Sequence, residues 1–229
     1  LLAAASEAAD VLLLCGDLTD FGRPEEADAL ANDLTTHVEI PMLGVLGNHD
    51  FEAEQPETVW EIMEAAGVTM LDGTAAEVDG VGFTGVCGFG GGFGKFMLNP
   101  WGEPLIKEFV QAAVDETLKL EKALARLHTE HRIVLLHYAP VRGTVEGEPL
   151  EIFPFLGSSR LEEPLNQFGV TAVFHGHAHH GTPESQTAGG VPVYNVSIPM
   201  LKDTHPNRPA FRLVTVDTAT ASGKGVADV

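Results

Sequence analysis

Four short apolar runs in this chain each end in residues that bind metals or move protons. VLLLCGD delivers Asp17, and MLGVLGNHD delivers Asn48, His49 and Asp50. RIVLLHY delivers His137, and TAVFHGHAHHG delivers His175, His177, His179 and His180. Asp17, Asn48, His137, His177 and His179 offer one carboxylate, one amide oxygen and three imidazoles. That hard-to-borderline set suits Mn, Fe, Zn or Ni better than Mg alone. A carboxylate can bridge two cations, and two ions about 3.5–4 Å apart can ionise a water between them and clamp both oxygens of a phosphoryl transfer. His177 and His179 are two residues apart, a spacing that in an extended segment aims both imidazoles the same way, at neighbouring ions. His49 follows Asn48 directly, so with Asn48 as a ligand it points beside the metals, where a general acid belongs. Asp50 is placed to hold or tune its ring. The chemistry implied is in-line attack of metal-bound hydroxide on phosphorus, with His49 protonating the leaving alcohol or stabilising the phosphoryl oxygens. Arg142, five residues past His137, is a candidate contact for a phosphate oxygen.

Residues so far apart converge only if the fold brings them together. Each run reads as a buried strand, and in open α/β sheets ligands gather beyond the carboxyl ends of the strands. Leu1 to Ala9 reads as the last turns of a helix feeding the strand at Val11, so a strand is expected upstream of residue 1. A helix starting at Pro24 presents Ala27, Leu30, Ala31 and Leu34 on one face. A second, Pro56 to Ala66, is closed by Gly67 and followed by a short strand to Leu71. Alternation from Glu77 to Cys87 predicts a hairpin around Gly80 and Gly82. The glycine-rich GFGGGFGKF segment is a loop with no helix start where a dinucleotide fingerprint needs one. Phe89, Phe93, Phe96 and Trp101 around it make either an apolar lid or a loop folded on its own core. Glu103 to Glu130 is the longest helical pattern, with a stripe from Leu105 to Leu127 reading as core. The connection from Tyr138 to Gly157 is too long to be only a turn and is a candidate rim. Ser158 and Ser159 are placed to cap a helix through Phe168, and strands near Val170, Val191 and Phe211 complete the sheets. The last dozen residues are expected to fray.

A chain of 229 residues with 44% apolar composition is sized for one α/β domain, residues 1–229. Thirteen basic against 33 acidic residues give a formal charge of −20, which opposes general binding to nucleic acid or anionic lipid. Cys15 and Cys87 form no CxxC, which argues against a thiolate zinc site or a disulfide framework. No apolar run reaches the roughly 20 residues that span a bilayer, and no signal-peptide pattern opens the chain. These features predict a cytoplasmic protein with no membrane contact.

At GDLTD (Gly16 to Asp20), GNHD (Gly47 to Asp50), His137 and GHAH (Gly176 to His179), the sequence resembles the calcineurin-like metallophosphoesterase superfamily. The resemblance implies a four-layer αββα fold: a sandwich of two mixed β-sheets flanked by helices, with a dinuclear centre at the strand ends. It implies that Asp17 bridges two divalent transition metals, that Asn48, His137 and His177 complete one site, and that His179 belongs to the other. His49 would be the catalytic histidine and Asp50 its partner. The family's DxH motif, which serves the second metal, would lie upstream of Leu1. A small phosphate ester, diester or monoester, is the implied substrate.

Two other readings compete: a non-catalytic interaction scaffold on the same fold, against which an unliganded His49 argues, and a binuclear hydrolase acting on an amide or ester. His175 and His180 are expected to support the ligands rather than bind, and Asp20 to brace its loop.

Overall fold

In the computed structural model, residues 1–218 and the backbone of residues 226–228 are described. The chain runs α1 (Leu2–Ala8), β1 (Leu12–Cys15), α2 (Pro24–His37), β2 (Met42–Val45), α3 (Pro56–Ala65), β3 (Val68–Met70). It continues β4 (Thr74–Val78), β5 (Val81–Val86), α4 (Pro104–Leu124), β6 (His131–Leu136), α5 (Phe153–Leu156), α6 (Glu162–Gln167), β7 (Ala172–His175). Last come β8 (Glu184–Gln186), β9 (Pro192–Asn195), α7 (Ile198–Thr204), β10 (Val214–Val216) and β11 (Val226–Asp228).

Strand alternation sorts these elements into layers. In β6, Ile133 and Leu135 face one way and pack with Leu43, Val45, Phe83 and Phe174, whereas Val134 and Leu136 face the other and pack with Leu120, Leu124 and Leu165. In the smaller sheet Leu43 and Val45 turn toward β6, while Met42 joins Ala27, Leu34, Val59 and Met63 of α2 and α3. The result is helices, sheet, sheet, helices, the αββα order. The smaller sheet, in the order β1-β2-β3, is parallel. The larger runs β4-β5-β6-β7-β9-β8 and is mixed, parallel from β5 to β9 with an antiparallel strand at each edge.

Local chemistry explains several boundaries. Proline opens α2, α3 and α4 at the first helical position, where its missing N–H costs nothing. Asp79 and Gly80, at φ 50° and 80°, make the tight turn joining β4 to β5, and Gly82 lies within β5 against Leu127. No helix among the described residues is long and apolar enough to cross a membrane.

Some boundaries differ from the sequence reading. The long helix stops at Leu124, and its first turn overhangs the sheet, leaving Leu105 75% exposed rather than in the core. Ser158 caps only a 3-10 turn, accepting from the Arg160 N–H at 3.3 Å, before α6 begins at Glu162. The expected fraying falls mostly on residues 219–225 and 229, outside the described residues; β11 pairs antiparallel with β10.

Candidate active site

The carboxyl ends of β1, β2, β6 and β7 meet at one point. Gly16 and Asp17, at φ 81° and 51°, turn the chain sharply as β1 ends and set the Asp17 carboxylate beneath His137. A side chain at Gly16 would strike the His137 ring, and one at Gly47 would strike Asp17, so both positions need glycine for close approach.

His137 is 1% exposed and is held at both ends. Its Nδ1 lies 2.9 Å from the Cys15 carbonyl oxygen, an atom that can only accept, so Nδ1 carries the proton and Nε2 is a bare lone pair. That lone pair faces the Asn48 Oδ1 at 2.8 Å, the His177 Nδ1 at 3.2 Å and the Asp17 Oδ1 at 3.3 Å. His177 repeats the arrangement: its Nε2 donates to the Phe155 carbonyl at 3.1 Å, leaving Nδ1 bare toward the cluster. Burial, the largest cause in each case, pushes both imidazoles down to about 4, so both are neutral at pH 7.

Four electron-pair donors thus converge with no proton between them, an arrangement that is repulsive unless a cation sits among them. One ligand atom each from Asp17, His137 and His177 lies within 4.8 Å of the others. A carboxylate, an amide oxygen and two neutral imidazoles, each imidazole oriented by a backbone carbonyl behind it, fit a divalent transition metal.

His49 stands beside this cluster. Its backbone N–H donates to Asp17 Oδ1 at 3.0 Å, and its ring Nδ1 donates to the Asp20 carbonyl at 2.7 Å. That carbonyl, foremost, raises the His49 pKa above 6.5, with burial opposing and Asp17 and Glu52 adding to it. The ring is part-exposed and lines the groove that Asp17, His137 and His177 also line.

Asp50 is not brought to the His49 ring, which corrects the expected pairing. It is fully buried and accepts four hydrogen bonds: Thr19 N–H and hydroxyl at 2.9 and 2.7 Å, Leu18 N–H at 3.2 Å and Gly47 N–H at 2.8 Å. Burial pushes its carboxyl upward while these donors oppose the push. Asp50 ties the loop after β1 to the loop after β2. Asp20, read as a loop brace, is the residue whose backbone holds His49.

The GHAH segment is not extended. His177 adopts φ 67° and the chain turns immediately after, so His179 is exposed and lies outside the close cluster, although it lines the same groove. His175 supports the turn, its Nδ1 donating to the Gly176 carbonyl and its Nε2 accepting from the Thr144 hydroxyl, both at 2.8 Å. Arg142 is not gathered with these residues. Its side chain, 61% exposed, pairs with Glu146 at 3.5 Å and lines a different depression. The Cys15 and Phe155 carbonyls, both essential to the tautomers, carry no side-chain signature from which to read them.

The groove beside the cluster encloses about 1170 Å³. One wall is β1, the unpaired edge of its sheet among the described residues, and the other includes β10 and α7. Leu1, Phe83, Ile133 and Phe174 also line it.

This fold is shared with known proteins. The chain matches the model of the calcineurin-like phosphoesterase family over residues 1–181 and belongs to that family. It is a phosphoric ester hydrolase of a family that uses divalent metal ions. Among solved structures it is similar to a phosphopantetheinyl hydrolase from Mycobacterium tuberculosis, at TM-score 0.66 and 16% identity, covering 94% of this chain and 89% of that one. It is also similar to a putative 5'-nucleotidase from Staphylococcus aureus, at TM-score 0.46 and 17% identity, covering 75% of this chain and 34% of that one. No curated protein matches.

Proposed function

We propose that the chain hydrolyses a small phosphodiester or phosphomonoester at the cluster of Asp17, Asn48, His137 and His177, with His49 as the general acid. The observation that carries this is the convergence of four bare donor atoms beside a histidine whose Nδ1 is already engaged. A divalent metal bound there would polarise the phosphoryl oxygen and supply the water nucleophile. Asp17 and Asn48 hold the site from the first two strand ends, and His137 and His177 remain neutral ligands because burial disfavours their charged forms. The Asp20 carbonyl keeps the His49 proton on Nδ1 and favours the charged ring, so Nε2–H can serve the leaving oxygen.

A second divalent ion would share Asp17 with His179, and these two donors alone are too few for it. Further oxygen or imidazole ligands would have to complete that second site. Mn, Fe, Zn and Ni are the metals the donor set favours. Two free cysteines favour a cytoplasmic setting.

The test is hydrolysis of bis(4-nitrophenyl) phosphate and 4-nitrophenyl phosphate by the Mn-loaded enzyme and by His49→Ala. General-acid catalysis predicts a fall in kcat of about 10²–10⁴ with bound metal unchanged. Unchanged kcat in His49→Ala would remove His49 from the chemistry, and no turnover of either ester by the Mn-loaded enzyme would leave the scaffold reading standing.

A further inference from the structure

Several basic side chains are engaged where they stand: Lys119 with Asp72 and Glu116, Arg132 with the Leu127 and Phe168 carbonyls, and Arg160 with the Leu98 carbonyl. Lys95 and Arg142 face a common cavity instead. Lys95 makes no ion pair among the described residues, and Arg142 has only its exposed contact with Glu146, which is weak in water. Both line one open depression of about 460 Å³ between the glycine-rich loop and the turn at residues 142–145.

The depression is built rather than incidental. The Gly92 and Gly94 N–H groups are pinned to the Gly157 carbonyl at 2.8 Å and the Ser159 Oγ at 3.0 Å, which fixes the loop presenting Lys95. The Ser159 oxygen accepts that bond, so its own hydroxyl proton is available to a ligand. Arg142 lies over the Phe153 ring at 5.6 Å, and Lys95 over Phe96 at 4.9 Å, each cation supported by an aromatic face. The lining also contains Glu162, whose carboxylate is engaged by the Ala188 N–H, and Gln186, which brings amide donors. In a chain of net charge −20, Lys95, Arg142, the Ser159 hydroxyl and the Gln186 amide together outnumber the one lining carboxylate, Glu162, and make this depression locally receptive to an anion that displaces Glu146 from Arg142.

Its position ties it to the hydrolytic centre. Arg142 packs on Phe153 at one end of α5, and the Phe155 carbonyl, two residues on, holds His177. A ligand crossing α5 therefore has the metal cluster at one end and Lys95 and Arg142 at the other. Phe155, 58% exposed, offers an apolar surface along that crossing.

We propose that this depression binds a second phosphate group of the substrate, so that the preferred substrates carry two phosphates separated by an apolar or flat spacer. Arg142 then recognises the distal phosphate and not the one being hydrolysed. The proposal rests on the hydrolytic reading of the Asp17–His177 cluster.

The experiment compares 4-nitrophenyl phosphate with a series of α,ω-alkane bisphosphates of increasing length, using the metal-loaded enzyme and the Lys95→Ala/Arg142→Ala double variant. Both residues are exposed, so the variant is expected to fold, and its melting temperature checks this. For one spacer length the bisphosphate is expected to have at least tenfold lower KM than the monophosphate. In the double variant the ratio of kcat/KM values, bisphosphate over monophosphate, should fall at least tenfold, chiefly through KM. No length preference, or an equal loss on both substrates, would overturn the proposal. So would inorganic phosphate binding that needs Lys95 and Arg142 but does not compete with the bisphosphate, because the site would then serve a free anion. If no phosphate ester turns over at all, the hydrolytic reading fails separately. Calorimetric titration with the bisphosphates then decides the depression: binding weakened in the double variant supports it, and no binding overturns it.

Discussion

Asp50→Asn separates a brace from a catalytic partner. Asp50 Oδ1 accepts from the Thr19 N–H and hydroxyl, and Oδ2 from the Leu18 and Gly47 N–H groups. An asparagine of the same shape must place its NH₂ at one of these two positions. At the Oδ2 position two backbone N–H groups would face a donor. At the Oδ1 position the Thr19 hydroxyl can rotate to accept, leaving only the Thr19 N–H orphaned. That better case costs about 1–3 kcal/mol for a buried unpaired donor, and the two retained bonds lose their charge assistance, about 1 kcal/mol each. The expected loss is about 3–5 kcal/mol, which for a chain of this size lowers Tm by roughly 6–20 °C. Thermal and urea unfolding measure it, alongside kcat at a temperature where the variant remains folded. A brace predicts that lost activity tracks lost folded protein. A Tm within about 1 °C of wild type, with kcat down a hundredfold or more, would refute the assignment and restore Asp50 as the orienting partner of His49.

Other outcomes follow from the same geometry. Gly47→Ala places a methyl group against Asp17, and is expected to weaken metal affinity at least tenfold, read by titration with Mn or Zn; unchanged affinity would contradict the close approach. His175, His137 and His177 are pushed down by burial to about 3, 4 and 4 from 6.5. Between those values and 6.5 the unfolded chain binds more protons, so the stability they hold is complete above pH 6.5 and is lost as pH falls through 4 toward 3. Urea midpoints should drop from pH 7.5 to pH 4.5, and a midpoint that rises on acidification would contradict the neutral, buried assignment.

The strand ends were legible in the sequence because a buried strand must be apolar until it leaves the sheet, so the first polar residue after VLLLC or RIVLL marks the exit. Which layer Ile133 and Val134 each face was not legible, because β6 is buried on both faces and its run from Ile133 to Leu136 is apolar throughout. What else was not legible depends on backbone conformation. His177 at φ 67° breaks the extended geometry that would have aligned it with His179. Asp50 looked like a partner for His49 by adjacency, but a 3-10 turn over Asn48–Phe51 points consecutive side chains in different directions, sending Asp50 inward. The carbonyls of Cys15, Asp20 and Phe155 set three histidine tautomers, and any residue type supplies a carbonyl. Arg142 was near His137 in sequence, yet the chain turns away after β6 and sets it against the Phe153 ring in a different depression.

The most direct test is elemental analysis of metal per chain after loading with Mn or Zn and removal of excess, on this chain and on His137→Ala. At least one ion per chain, lost in His137→Ala while the variant stays folded, is the result expected from four converging donors. A chain that retains no metal after loading would contradict a metal centre at Asp17, Asn48, His137 and His177.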